Sequence, residues 1–389
     1  MRQSIKKRIF LLPVLFLFTA AVLLSSCGSK KEPVVRNGFY FDTVITITLY
    51  GESERLSPLF DDIFALCEHY DALFDRTAPG SDIAKINDAA GTPVTVHPET
   101  LSLIRTACSY AELTGGLIDP TITPLLLLWG FGNDAASAGS ADSEVNEGSS
   151  DSEVNEDSSD SEVNEDSADS EVNEDSSGSG TQSAPGQTSL TLPPDTDALT
   201  SVCTHIDYRS IVIDEQAGTV MLTDPDAAID LGFIAKGYIA DRIRDYLVSK
   251  NVTSAIINLG GNILCIGSRP DKNPFRVAVQ YPFGQTGDMI TTLSIRDQSV
   301  VTSGVYERFV EADGVRYHHI LDPRTGYPAE NSLLSVTIIT DSSTDADALS
   351  TACFLLGLSD GMALIESLSD TEALFITDDY ELHYSSGLR

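Results

Sequence analysis

Residues 230–262 read DLGFIAKGYIADRIRDYLVSKNVTSAIINLGGN. Within them, 236–250 has the spacing of a helix, and 254–259 is a run of apolar and β-branched residues that reads as a strand. A second apolar strand follows Gly260-Gly261 at once, and a Gly-Gly pair between two strands predicts a tight turn or hairpin. Working outward, residues 43–50 (TVITITLY) alternate as a half-buried strand does. Helical spacing recurs over 56–74 and 98–113, with Pro98 suited to a first turn. Strands are expected at 275–280, 290–295 and 333–340, and a helix at 345–357, with Ser343 or Thr344 as N-cap and Gly357 as stop. Strands cluster in neighbouring pairs with long helices between the clusters. The expected fold is therefore α+β: one domain with a mixed or antiparallel sheet and flanking helices.

Charge divides the 389 residues unevenly. The chain carries 58 acidic and 24 basic side chains, a net charge of −34. Fifteen of the acidic groups fall between Asp142 and Asp175, in four tandem copies of a nonapeptide whose only apolar side chains larger than alanine are Val145, Val154, Val163 and Val172. Four short copies with one valine each cannot bury a face, so 133–200 reads as a disordered acidic insert within the domain. What remains is still acidic, which excludes nucleic-acid binding through basic patches. At the N-terminus, Arg2, Lys6, Lys7 and Arg8 precede an apolar run that ends Leu24-Ser25-Ser26-Cys27. This run is short for a membrane span and reads as a lipoprotein signal peptide, 1–26, with Cys27 as the acylated residue and 27–36 as a tether. The expected location is the cell membrane, lipid-anchored on the extracytoplasmic face. The domain proper would be 37–389. The five remaining cysteines are odd in number and hold no CxxC pair, giving neither a disulfide framework nor a zinc site.

Four constellations point to a phosphate-bearing ligand. Asp230-Leu-Gly-Phe-Ile-Ala-Lys-Gly237 runs from a strand end into a helix, where N–H groups, the helix dipole and Lys236 could meet an anion; an ordinary strand–turn–helix would look the same. Asn258-Leu-Gly-Gly-Asn262 permits close backbone approach, or is merely a turn. Tyr317-His-His-Ile-Leu-Asp-Pro-Arg-Thr-Gly326 gathers imidazole, carboxylate and guanidinium, and strand alternation sends His318 and His319 to opposite faces. In Asp345-Ala-Asp-Ala-Leu-Ser-Thr351, Asp347 and Thr351 share a helix face as two hard oxygen ligands suited to Mg²⁺; an acidic first turn complementing the dipole is the plainer reading.

Together with Phe41-Asp-Thr43, Ser81-Asp-Ile-Ala-Lys-Ile-Asn87, Thr114-Gly-Gly-Leu-Ile-Asp-Pro-Thr121 and Val301-Thr-Ser-Gly304, these segments resemble the ApbE family of FAD:protein FMN transferases, in order, from about Phe39 to His383. The resemblance implies FAD as substrate, Mg²⁺ at its pyrophosphate, and a Thr or Ser hydroxyl of an extracytoplasmic acceptor protein, such as a redox-complex subunit, attacking the FMN-side phosphorus with release of AMP. It implies metal ligation by Asp347, Thr351 and the Phe233 carbonyl, with His319 as general base. Asp230, Lys236, Leu117, Ile118, Asp119 and Leu321 would line the flavin site. Three positions depart from the family pattern: Phe41 stands for the usual Met, Phe233 for a Gly, and Thr77 where many members have a flavin-stacking Tyr. Alternative readings are a Mg²⁺-dependent FAD pyrophosphatase giving FMN and AMP, or a non-enzymatic FAD-binding lipoprotein.

Overall fold

Eight strands form one sheet whose spatial order follows the chain: β1 (Val34–Tyr40), β2 (Thr43–Leu49), β3 (Ser254–Leu259), β4 (Asn262–Gly267), β5 (Ser299–Gly304), β6 (Leu333–Thr340), β7 (Thr371–Thr377) and β8 (Leu382–Tyr384). Every neighbouring pair is antiparallel. The computed structural model describes residues 32–131, 193–285 and 287–388. The helices longer than one turn among the described residues are α1 (Leu59–Phe74), α2 (Asp82–Asp88), α3 (Pro98–Leu113), α4 (Thr123–Leu128), α5 (Thr196–Cys203), α6 (Ala235–Ser249) and α7 (Ser343–Glu366). A three-stranded sheet (Val94–Thr95, Thr219–Leu222, Ile211–Asp214) and two hairpins, Phe275–Gln280 with Met289–Ile295 and Phe309–Ala312 with Val315–His318, complete the strands among the described residues.

Alternation decides which face is covered. In β2, Ile45, Ile47 and Leu49 are wholly buried against α1 and α6, whereas Val44 faces solvent. Ile239, Ile243 and Leu247 of α6 recur at helical spacing and are likewise fully buried. Strand β6 is covered on both sides: Val336 and Ile338 pack under α7, and Ile339 packs under the Phe275–Gln280 hairpin.

The Gly260-Gly261 turn closes the β3–β4 hairpin, with both glycines at positive φ. A Cβ at Gly260 would collide with the Thr43 side chain, so this turn lies directly against the Phe41-Asp42 turn that joins β1 to β2. Phe41 and Asp42 both sit at φ 56. That left-handed pair suits a two-residue hairpin but is costly for a bulky side chain.

α6 and α7 meet at their N-termini, and this junction organises one end of the molecule. Asp241, buried on α6, accepts the Ser343 and Thr344 N–H groups of α7 at 3.0 and 2.9 Å, and Arg244 pairs with it at 3.1 Å. A cap of this kind is worth about 1 kcal/mol. Ser343, whose hydroxyl donates to Asn262 Oδ1 at 2.8 Å, is in turn met by Ser299.

Several boundaries differ from expectation. The helix expected over 56–74 is interrupted: a single turn, Ser53–Leu56, precedes Pro58, which lacks an N–H, and α1 begins at Leu59. Ser342 caps α7 by accepting the Asp345 N–H, because Ser343 and Thr344 are engaged elsewhere. Gly357 does leave helical geometry, at φ 77 and ψ 176, but the chain then resumes its helix to Glu366. Residues 34–36, expected in the tether, are already paired in β1. Residues 193–200, expected in the insert, are folded: Asp195 caps α5, and Leu199 is buried. The signal peptide, Cys27 and the acidic repeats lie outside the described residues.

Candidate active site

The close approach of α6 to α7 depends on the lack of a side chain at Gly237. A Cβ there would lie 2.8 Å from Asp347 Cβ and closer still to the Ser343 carbonyl. Instead the Gly237 N–H donates to Asp347 Oδ2 at 2.8 Å. In a regular helix entry that N–H would bond four residues back, to Phe233. The Ile234 and Ala235 N–H groups both use the Leu231 carbonyl, and Tyr238 uses that of Ile234. Among the described residues no hydrogen bond reaches the Phe233 carbonyl, which leaves a strong acceptor unspent beside the first turn of α6. Burial raises the Asp347 carboxyl above the usual range, against Lys236, the Gly237 N–H and Asn262, which favour the charged form. One turn along α7, the Thr351 hydroxyl lies 3.1 Å from Ser303 on β5, which also meets Ser350 at 2.8 Å. Asp347, Thr351 and the Phe233 carbonyl thus offer three hard oxygens at one helix junction, a donor set that fits Mg²⁺.

Asp230 precedes this junction. Its Oδ1 accepts the Gly232 N–H at 2.6 Å and its Oδ2 the Arg76 guanidinium at 2.8 Å, which ties the turn to the loop carrying Thr77. Thr77 is exposed and donates through both N–H and hydroxyl to Asp75. Asp119 is buried and bound by protein on both oxygens: Oδ1 by Thr121, Oδ2 by the Tyr208 N–H at 2.8 Å. Its carboxylate organises the 117–121 turn, with Oδ1 accepting twice from Thr121 and Oδ2 once from Tyr208. Leu117 and Ile118, in the same turn, are buried, as is Leu321.

His318 and His319 diverge as alternation requires. His318 turns inward, its Nε2 donating to the Ala329 carbonyl at 3.3 Å and its ring edge-on to Phe354. Burial pushes its pKa down to about 4. His319 donates from Nδ1 to the Arg308 carbonyl at 3.1 Å, which fixes the tautomer and leaves Nε2 as the free acceptor. Its pKa falls to about 3, chiefly through desolvation and then through the Arg308 charge. Sequence reading missed Glu307, which lies near enough to Lys236, Arg308 and Asp347 to feel their charges. Its carboxyl is raised to about 7 by desolvation, countered by Lys236 and Arg308. The side chain remains solvent-exposed, so water screens part of that effect. Lys236 acts electrostatically on Glu307, His319 and Asp347 alike, joining the helix junction to the histidine strand.

Trp129 locks a further wall. Fully buried, it donates from Nε1 to the Gly326 carbonyl at 2.7 Å and packs on Tyr317 and Tyr327. Phe131, the last described residue before the insert, stands 6.4 Å ring to ring from His319. On the far side of the insert, Leu199 and Cys203 of α5 crowd Gly326. Phe131 and α5, on either side of the insert in the chain, therefore both flank the 317–326 segment. Asp322 and Arg324 of that segment pair with each other, as the frame of the turn.

The sequence profile of the ApbE family matches residues 41–375. A FAD:protein FMN transferase of Treponema pallidum is 30% identical over 385 residues, covering 94% of this chain and 91% of its own length. One from Klebsiella pneumoniae is 34% identical and covers 89% of each. Among solved structures, the ApbE protein of Thermotoga maritima superposes with a TM-score of 0.72 at 29% identity, over 92% of this chain and 98% of its own. The flavin transferase ApbE of Vibrio cholerae gives 0.70 at 25%, over the same shares.

The depressed pKa of His318 makes stability depend on pH. Between its unfolded value near 6.5 and about 4, the unfolded chain binds a proton that the folded chain refuses. Its contribution is thus complete above 6.5 and is lost as pH falls toward 4. Urea midpoints should decline across that window, and His318→Gln should flatten the decline; an unchanged slope in the variant would contradict the assignment.

Proposed function

The chain belongs to the ApbE family, and we propose that it transfers the FMN half of FAD to a Thr or Ser hydroxyl of an extracytoplasmic acceptor protein, releasing AMP. The observation that carries this reading is the diverted Gly237 N–H. It holds Asp347 in place and frees the Phe233 carbonyl, so that these two and Thr351 can hold Mg²⁺. Bound there, the ion would neutralise charge on the FAD pyrophosphate oxygens.

The chain's own groups account for the remaining steps. Lys236 adds a positive charge at the N-terminus of α6, where an anion is favoured. The Asp230–Arg76 pair fixes the turn beneath it. The acceptor oxygen forms a bond to the FMN-side phosphorus as the pyrophosphate P–O bond breaks, and the hydroxyl proton passes to His319 Nε2. In the free chain that imidazole is a weak base, held down partly by Arg308 and Lys236. An anionic substrate among these cations offsets their effect and raises its basicity toward a useful range. On this reading Leu117, Ile118, Asp119 and Leu321 line the flavin site, with Phe41 and Thr77 as further contacts.

Flavin affinity will reflect the three departures from the family pattern. Phe41 offers aromatic packing where a thioether is usual. Thr77 offers no ring for stacking. Phe233 places a side chain where Gly is usual, though the atom used there is its carbonyl.

Incubation of the mature protein with FAD, Mg²⁺ and a candidate acceptor domain tests the proposal. An FMN-sized mass gain on the acceptor with matching AMP is expected. Free FMN and AMP without that gain would indicate hydrolysis, and unchanged FAD would sink both. Asp347→Ala should abolish turnover and metal dependence, and His319→Ala should slow transfer by about 10²–10⁴-fold. We also propose that lipid on Cys27 anchors the enzyme to the outer face of the cytoplasmic membrane. The full chain should then fractionate with membranes, and a Cys27→Ala variant that stayed there would refute the anchor.

A further inference from the structure

Away from the cleft, His69 on α1 and His97 and Glu99 at the start of α3 bring one ligand atom each to within 4.8 Å of the others. His69 Nε2 lies 3.6 Å and His97 Nδ1 3.8 Å from the same oxygen, Glu99 Oε2. The two imidazoles stand edge to face, 5.4 Å apart at 81°. Both distances to Oε2 are too long for hydrogen bonds, so the space between the three donors is not closed by contacts among them.

The second oxygen of Glu99 is held separately. Oε1 accepts the Tyr70 hydroxyl at 3.0 Å and the Tyr238 hydroxyl at 3.1 Å. Two donors from two different helices therefore fix the carboxylate plane and aim Oε2 at the histidines. Fixing one carboxylate oxygen while the other stays available is how outer groups orient a metal ligand. The side chains of His69, His97 and Glu99 are 44%, 40% and 30% accessible, so an ion can enter from solvent.

We propose that His69, His97 and Glu99 bind a divalent transition ion of the zinc class, separate from the helix junction that suits Mg²⁺. Two imidazoles and one carboxylate are the donor types such ions take, whereas Mg²⁺ prefers an all-oxygen shell. With metal–ligand bonds of about 2.1 Å, tetrahedral donors lie roughly 3.4 Å apart; the two histidine–Glu99 distances exceed this by a few tenths, and the two histidine ligand atoms lie within 4.8 Å of each other. Exposed side chains can close that gap. Ligation costs one contact: His97 Nδ1 now accepts the Glu99 N–H at 3.3 Å as a long helix cap, and the ion would take over that lone pair. Three protein ligands leave a fourth position for water. Sequence reading did not find the site, because His69 and His97 are brought together only by the packing of α1 beside α3.

Co²⁺ titration of the mature protein, with Mg²⁺ in excess, tests this through the visible absorption of four-coordinate cobalt. One equivalent should saturate the band. His69→Ala and His97→Gln should each abolish it, Tyr238→Phe should weaken binding about tenfold, and Asp347→Ala should leave it intact. Thermal melting of His69→Ala, an exposed position, verifies that the variant is folded. Absence of the band, its persistence in His69→Ala, or its loss in Asp347→Ala would overturn the proposal. So would its loss in His205→Ala, since His205 with Asp224 and Asp226 forms the other cluster of this type among the described residues.

Discussion

The hydrogen bond from the Gly237 N–H to Asp347 is the contact on which the arrangement turns. It needs two helix N-termini at nearly van der Waals contact, which position 237 allows only as glycine. It also needs α7 held at that height, which Asp241 accomplishes by capping its first N–H groups from α6. The sheet serves the same end. β3 and β4, joined by a glycine turn, carry Asn262 under Ser343, and β5 brings Ser303 to Thr351. Each of these groups reaches the junction from a different part of the chain.

That dispersal explains what could be read from sequence. The strands at 254–259 and 333–340 and the helix at 98–113 match their expected limits, because alternation, a glycine turn and Pro98 are local signals. The pair Val94–Thr95 and the four-residue strands carry too little pattern to stand out. Asp347 and Thr351 were legible as neighbours on one helix face. Their partners were not, since Gly237 and Ser303 reach α7 only through tertiary packing. The partners of Asp119 were equally hidden: its carboxylate accepts from Thr121 two residues on, but also from the Tyr208 N–H, which only tertiary packing brings near. Glu307 went unnoticed because a Glu after Tyr306 has no distinctive spacing.

The acidity of the chain is relevant to the chemistry. FAD is an anion, and the folded part of this protein is itself acidic, so long-range steering of substrate is unfavourable. Lys236 and Arg308 supply local positive charge, with Glu307 and His319 close enough to feel both and Asp347 to feel Lys236. A divalent ion at the junction would complete that local reversal of sign. Phe131, which precedes the acidic segment in the chain, lies near His319, and Leu199 and Cys203, which follow it, lie beside Gly326.

The most direct test of this account is a crystal structure with FAD and Mn²⁺, located by anomalous scattering. A manganese peak ligated by the Asp347 carboxylate, the Thr351 hydroxyl and the Phe233 carbonyl, against the FAD pyrophosphate, is the expected result. A peak at the pyrophosphate with the Phe233 carbonyl turned away, or manganese bound elsewhere while FAD occupies the cleft, would contradict it.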